Sequence, residues 1–151
     1  MYSRPMGKRL AERQIVVEGV PQRCFDALVD FESYPRWQSG VTACSVISRD
    51  GDGRARRVQF EIDATVKPFC YTVDYSYEQP HLIAWERVEG DVDKVDGEFV
   101  LEDRGDGTTL ATCALRIDAG AWLPGDAAAV LNDQVTRWSL EDLKARVESA
   151  D

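Results

Sequence analysis

The chain has 151 residues, 44% of them hydrophobic and 30% charged, with a net charge of −9. That length fits one domain with one core, residues 1–151, and the acidic balance disfavours nucleic acid and anionic lipid surfaces, whose phosphates it repels. No apolar run approaches the roughly 20 residues needed to span a bilayer, so no integral membrane segment is expected.

Residues 1–10 read as a loose arm. The stretch MYSRPMGKRLAERQ carries basic residues with no apolar core behind them, which is not the pattern of a signal peptide. Glu12–Glu18 (ERQIVVE) reads as a strand, with three β-branched residues in a row. Pro21 then suits the first turn of a helix. Cys24, Phe25, Leu28 and Val29 follow at helical spacing, giving a short amphipathic helix over 21–30. A second helical turn is predicted around 33–38, with Ser33 as cap and Pro35 near its start.

From Gly40 to about residue 118 the pattern is strand-like. Val41–Arg49 is followed by the turn DGDG at Asp50–Gly53. Arg56–Ala64 alternates, with Val58, Phe60 and Ile62 on one face. Phe69–Glu78 alternates again, placing Phe69, Tyr71, Val73, Tyr75 and Tyr77 together. Leu82–Val88 holds Trp85, and Lys94–Asp103 puts Val95, Gly97, Phe99 and Leu101 inward. The turn RGDG at Arg104–Gly107 leads to Thr108–Asp118, with Thr109, Ala111, Cys113, Leu115 and Ile117 on one face. Such alternation predicts an antiparallel sheet with one buried face. A long helix then runs from Pro124 or Asp126 to about Glu148. One of its stripes is Val130, Leu131, Val135 and Trp138; an offset one is Leu140, Leu143 and Val147.

The fold class is thus α+β: two short helices between strands 1 and 2, a seven-stranded antiparallel sheet and a long C-terminal helix. This order, with these residues, resembles the START-like (helix-grip, SRPBCC) superfamily, and within it the bacterial polyketide cyclase/dehydrase and lipid-transport branch. VPQRCFDALVDFESYPRW (Val20–Trp37) is similar to the family's first helix pair with its D-x-x-x-Y-P-x-W element. IAWER (Ile83–Arg87), the glycine of VDGEF (Val95–Phe99), the GDGTTL hairpin (Gly105–Leu110) and Pro124 also match. The resemblance covers about residues 12 to 147. It implies a curved sheet wrapped around the long helix, with a cavity between them.

Read onto that fold, the inward positions form two expected cavity walls. One contains the small residues Gly97, Ala111 and Cys113 beside Trp85, Arg87, Phe99 and Leu115. The other is aromatic: Phe60, Phe69, Tyr71 and Tyr75. The helix adds Leu131, Gln134, Val135 and Trp138, and Tyr34 and Trp37 are expected as an entrance plug or lid. Small residues either leave space or admit a neighbour's bulk, and interiors avoid unfilled voids. Trp85, Trp138 and Phe99 are the side chains that could fill this one.

Candidate chemistry is sparse. Cys24, Cys44, Cys70 and Cys113 have no CxxC spacing and predict buried thiols in a reducing cytoplasm, with no metal site. The single histidine, His81, sits beside Pro80 in a turn. There is no HExxH, phosphate loop or dinucleotide motif, and no cofactor is expected. Catalytic residues are unknown; Arg87 is the candidate, as a partner for a ligand carboxylate or a developing enolate, unless it snorkels to the rim.

Three readings follow. The first is a carrier or sensor of a small hydrophobic molecule of lipid, polyketide, quinone or isoprenoid type. The second, by family analogy, is a cyclase, aromatase or dehydratase. The third is an interaction or quinone-biosynthesis accessory module whose protein partner is unknown.

Overall fold

The structure, a computed structural model, describes residues 11–64, 68–120, 123 and 125–149. The expected arm at 1–10 and the helix start at Pro124 lie outside these residues.

Strand β1 (Ala11–Val17) leads into helix α1 (Pro21–Val29). Pro21 occupies its first turn, where the missing N–H costs nothing, and Pro21, Cys24, Phe25 and Leu28 form its buried stripe. A 3-10 turn, Phe31–Ser33, runs directly into the four-residue helix α2 (Tyr34–Trp37). Ser33 precedes α2 without capping it. Its hydroxyl instead donates to the Asp30 carboxylate at 2.7 Å and accepts from Arg36 at 2.8 Å.

Strands β2 (Val41–Arg49), β3 (Ala55–Asp63), β4 (Pro68–Glu78), β5 (Leu82–Gly90), β6 (Lys94–Asp103) and β7 (Thr109–Asp118) follow as a meander. All neighbours are antiparallel and the sheet order is β1-β7-β6-β5-β4-β3-β2. Helix α3 (Gly125–Ser149) completes the helix-grip fold. The alternation read from the sequence holds: Val58, Phe60, Ile62, Phe69, Val73, Val95, Phe99, Ala111, Cys113, Leu115 and Ile117 belong to one buried core.

Helix α3 lies chiefly on β1 and β7. Leu131, Leu140, Leu143 and Val147 are buried there. Its C-terminal half is tied down by polar contacts. Lys144 Nζ donates to Val16 O at 2.9 Å, the Glu18 N–H donates to Glu148 at 2.9 Å, and Arg23 donates to Val147 O at 2.7 Å.

Farther toward its N-terminus, α3 uses Asn132, which is almost fully buried. Among the described residues β1 reaches only Leu115 on β7, so it does not pair with Ile117. Asn132 takes over: its Oδ1 accepts from the Ile117 N–H, and its Nδ2 donates to Ile117 O and Ala128 O, each at 2.8 Å. One side chain thereby satisfies two backbone groups that burial would otherwise penalise. The expected stripe needs one correction. Val130 is 53% exposed and turned away from the core, because the buried line runs through Leu131, Asn132 and Thr136 instead.

Candidate functional site

Helix α3 rests on the β1–β7 side, and a small, partly open cavity lies between it and the other strands. The cavity encloses about 70 Å³. Its sheet wall is Val41, Phe60, Ile62, Tyr71, Tyr75, Trp85, Val95, Phe99, Leu115 and Ile117. Tyr34, Gln38 and Ser39 border it from the α2–β2 connection, and Val135, Trp138 and Ser139 from α3.

The wall is a continuous aromatic chain. Tyr71 stacks on Phe60 with ring centroids 5.3 Å apart, and Phe69 on Tyr71 at 5.8 Å. Tyr75 meets Phe31 at 4.6 Å and Trp85 at 6.0 Å, and Trp85 meets Phe99 at 5.5 Å. Tyr34 sits 5.0 Å from Trp37 and 5.8 Å from Phe60. These rings occupy most of the space that the fold could leave open. What remains holds a few waters or one small ring, well below the roughly 300–1,000 Å³ of drug-sized ligand pockets.

The polar edge of the cavity lies where the α2–β2 connection meets α3. Asp142 accepts from the Ser39 N–H at 2.7 Å and from Gln38 Nε2 at 3.3 Å, which holds the connection against the helix. Next to it the Trp138 ring covers Gly40. A Cβ on Gly40 would stand 2.5 Å from Trp138 Cζ3, and its φ of +84° also favours glycine.

The tyrosine hydroxyls divide into two kinds. Tyr34 donates to Leu28 O and Tyr77 to Ala55 O, both at 2.5 Å. The hydroxyls of Tyr71 and Tyr75 make no hydrogen bond with the other described residues and remain open to solvent. Burial, reinforced by the neighbouring Cys44 thiol and, for Tyr34 and Tyr75, by other phenols, holds Tyr34, Tyr71 and Tyr75 above the ordinary phenol range. They stay protonated at neutral pH and act as neutral donors or acceptors. Burial, then the Glu32 carboxylate, pushes the Cys44 thiol up to about 12, so it is a poor nucleophile.

Nine of the residues read from the sequence border the cavity: Tyr34, Phe60, Tyr71, Tyr75, Trp85, Phe99, Leu115, Val135 and Trp138. The others stand elsewhere. Phe69 packs behind Tyr71. Ala111, Cys113 and Leu131 are fully buried in the core where α3 meets β7 and β1. There the small residues admit the helix rather than leave a void. Gly97 is covered by the Trp85 indole. Gln134 is half-buried on α3 and does not border the cavity. Trp37 packs against Tyr34 and does not border the cavity, so of the two residues expected at an entrance only Tyr34 lines it.

Arg87 is exposed and borders an open groove outside the cavity. Its guanidinium donates to Val92 O at 2.6 Å and Gly90 O at 3.1 Å, pinning the β5–β6 connection. Arg87 still pairs with Val73 on β4, but the β5–β6 ladder ends at Trp85–Gly97, so this end of β5 has no β6 partner beside it. Val41, Ile62, Val95 and Ile117 complete the wall and were visible as inward or strand-start positions. Gln38, Ser39 and Ser139 carry no periodic signal and come to the site only through tertiary packing.

No charged side chain borders the cavity among the described residues. No group of three or more His, Cys, Asp or Glu residues among them could hold a metal. No helix among them is long and apolar enough to cross a membrane. His81 is exposed in its turn, with Nδ1 3.0 Å from Leu101 O.

Comparison with known proteins adds three findings. The family described as polyketide cyclase / dehydrase and lipid transport matches residues 9–148. No curated protein matches the sequence. Solved structures match at low identity. A START superfamily protein from Mycobacterium smegmatis is 21% identical over 91% of this chain and 96% of its own, with a TM-score of 0.83. A protein from Thermus thermophilus is 20% identical over 93% and 97%, with a TM-score of 0.79. The Zhui aromatase/cyclase from a Streptomyces species is 15% identical over 91% and 92%, with a TM-score of 0.74. At these identities the structures share the fold.

Proposed function

The chain belongs to the polyketide cyclase / dehydrase and lipid transport family, and on that premise we propose that it binds a small hydrophobic molecule between the sheet and α3. The observation that carries this reading is an aromatic cavity with no charged lining residue among those described, whose polar groups come from Gln38, Ser39, Ser139 and the tyrosines. Apolar walls with a few polar groups are the common form of small-molecule sites. The small volume means that binding requires Trp138 or Trp85 to turn aside, which widens the cavity at its two tryptophan walls.

A carrier or sensor fits this site better than an enzyme. Cyclisation or dehydration needs a positioned acid, base or electrophile. Arg87, the candidate for that role, is engaged outside the cavity. The four free cysteines suit a reducing compartment such as the cytoplasm.

The test is uptake of the uncharged fluorescent probe N-phenyl-1-naphthylamine by purified protein, compared with Val135→Phe. That substitution fills the cavity from α3. Saturable uptake reduced at least about tenfold by the variant supports the site, since overpacking a cavity removes the ligand's volume. Equal uptake by both proteins places binding elsewhere and removes the reading.

A further inference from the structure

The sheet wall of the cavity has one place that no ladder closes. Strand β5 pairs with β4 as far as Gly90–Tyr71, and β6 pairs with β7 as far as Lys94–Asp118. Between β5 and β6 the ladder covers only Leu82–Trp85 against Gly97–Val100. Past Trp85 and Gly97 no ladder joins these two strands among the described residues. Side chains close the break instead. The Trp85 indole lies across Gly97, which has no side chain of its own to place there. The Arg87 guanidinium donates to Val92 O and Gly90 O, which holds the β5–β6 connection in place, and the Val92 side chain is fully buried.

Different spaces lie on the two sides of this break. On the inner side Trp85 and Val95 border the cavity. On the outer side an open groove of about 830 Å³ is bordered by Glu86 and Arg87 from β5 and by Lys94, Asp96 and Gly97 from β6. Trp85 borders both spaces. Asp74, Glu86, Asp96 and Arg116 alternate with the inward residues of their strands, so the groove lies on the face turned away from α3. Opening the wall here takes one rotamer change and two side chain–backbone hydrogen bonds, and no rung of a ladder is broken. Segments held this way belong to the low-stability end of a fold, from which moving parts are drawn. We propose that the break between β5 and β6 is a side passage through the sheet, joining the cavity to the outer groove, with the Trp85 indole as its gate and Arg87 as the latch on the β5–β6 connection. This passage is separate from the polar edge of the cavity, which lies against α3. Arg87 is then a positioning residue, acting through the connection that it holds.

The test needs no ligand, so its outcome is independent of the binding reading. Val95→Cys puts a thiol on the cavity side of the break, and the whole chain is treated with N-ethylmaleimide, a small uncharged thiol reagent. Peptide mass spectrometry reads position 95 separately from the four native cysteines. Labelling of a buried group follows the population of the open form when closing is fast. Adding Arg87→Met should raise the rate at position 95 at least about fivefold, the low end of what two hydrogen bonds supply. Removing a nearby cation lowers the thiolate fraction, so electrostatics alone would slow the reaction. Arg87→Lys, which keeps a donor, should fall between the two. The Asp93 N–H to Asp118 O and Asp91 N–H to Cys70 O hydrogen bonds remain in these variants, so the connection stays anchored and folding is expected to survive. Cys113, fully buried in the core, should be labelled at an unchanged rate. In the Arg87→Met background, Glu86→Trp crowds the outer mouth and should slow labelling at position 95 again. The inference is overturned if Arg87→Met leaves the rate at position 95 unchanged, if Cys113 is labelled faster in step with it, or if Glu86→Trp has no effect.

Discussion

The indole of Trp85 lies across Gly97 so closely that a Cβ on the glycine would stand 2.4 Å from Trp85 Cζ2. The two residues are direct partners across β5 and β6, and theirs is the last rung of that ladder. Gly97→Val should therefore cost about 1–3 kcal/mol of stability through overpacking, read as a lower urea midpoint. Part of that cost should vanish in a Trp85→Ala background, giving a non-zero coupling energy in a double-mutant cycle. A residue remains because the same Cβ would also meet Ala114 O at 2.8 Å. Strict additivity of the two substitutions would show that the indole moves away freely.

Asn132 joins α3 to the end of β7 through two hydrogen bonds with Ile117. Asn132→Leu keeps most of the volume and leaves the Ile117 N–H and C=O without this partner. A loss of about 2–4 kcal/mol is expected from burying unsatisfied groups. Faster amide exchange at Ile117 should accompany it. Wild-type stability in the variant would show that the backbone groups find another partner.

Asp142 holds Ser39 and Gln38 against α3 beside Trp138. Asp142→Ala should speed both uptake and release of an apolar probe, while changing overall stability by less than about 1 kcal/mol, the scale of an exposed hydrogen bond. Stopped-flow fluorescence reads both rates. Unchanged rates would separate this contact from ligand access.

Tyr34, Tyr71, Tyr75 and Tyr77 all have raised pKa values, burial being the largest cause in each. For such groups the native state holds protons that the unfolded chain releases. Their contribution to stability is complete below the ordinary phenol value of 10.0 and is lost as pH rises above it. Denaturation midpoints should fall above about pH 10, and Tyr75→Phe should make that decline shallower.

On the acid side the sign is opposite. Asp74 is held below the ordinary carboxylate value of 3.8, chiefly by its hydrogen bond with Arg57, whose Nε lies 2.8 Å away. That contribution is present above the unfolded value and is lost as pH falls through the lowered one. Asp74→Asn should flatten the acid limb of the stability profile without altering the alkaline limb. An unchanged acid limb would mean that the pair is fully screened by solvent.

The amino-acid order was sufficient for the architecture. Period-2 alternation in Val58–Phe60–Ile62, Phe69–Tyr77 and Thr109–Ile117 allows only one face to be buried, and turns rich in Gly and Asp set the meander. The same alternation identified the aromatic wall, because side-chain direction in a regular strand is a local property. Arg87 escaped this logic. Parity placed it beside Trp85, but the β5–β6 ladder ends at Trp85–Gly97, and where a ladder ends is set by pairing between strands, which no single strand records.

The size of the cavity was equally beyond the sequence. Gly97, Ala111 and Cys113 read alike as small inward residues. Only packing shows that an indole covers the first and that the other two lie in the core where α3 meets the sheet. The segment DFESYPRW, at the end of Val20–Trp37, offered Tyr34 and Trp37 alike as an entrance plug or lid. The tertiary structure decided that Tyr34 lines the cavity, that Trp37 packs against Tyr34 without lining it, and that Asp142, more than 100 residues later, ties the connection to α3. Local sequence determines which way a side chain points; what it meets there depends on the distant segments that folding brings against it.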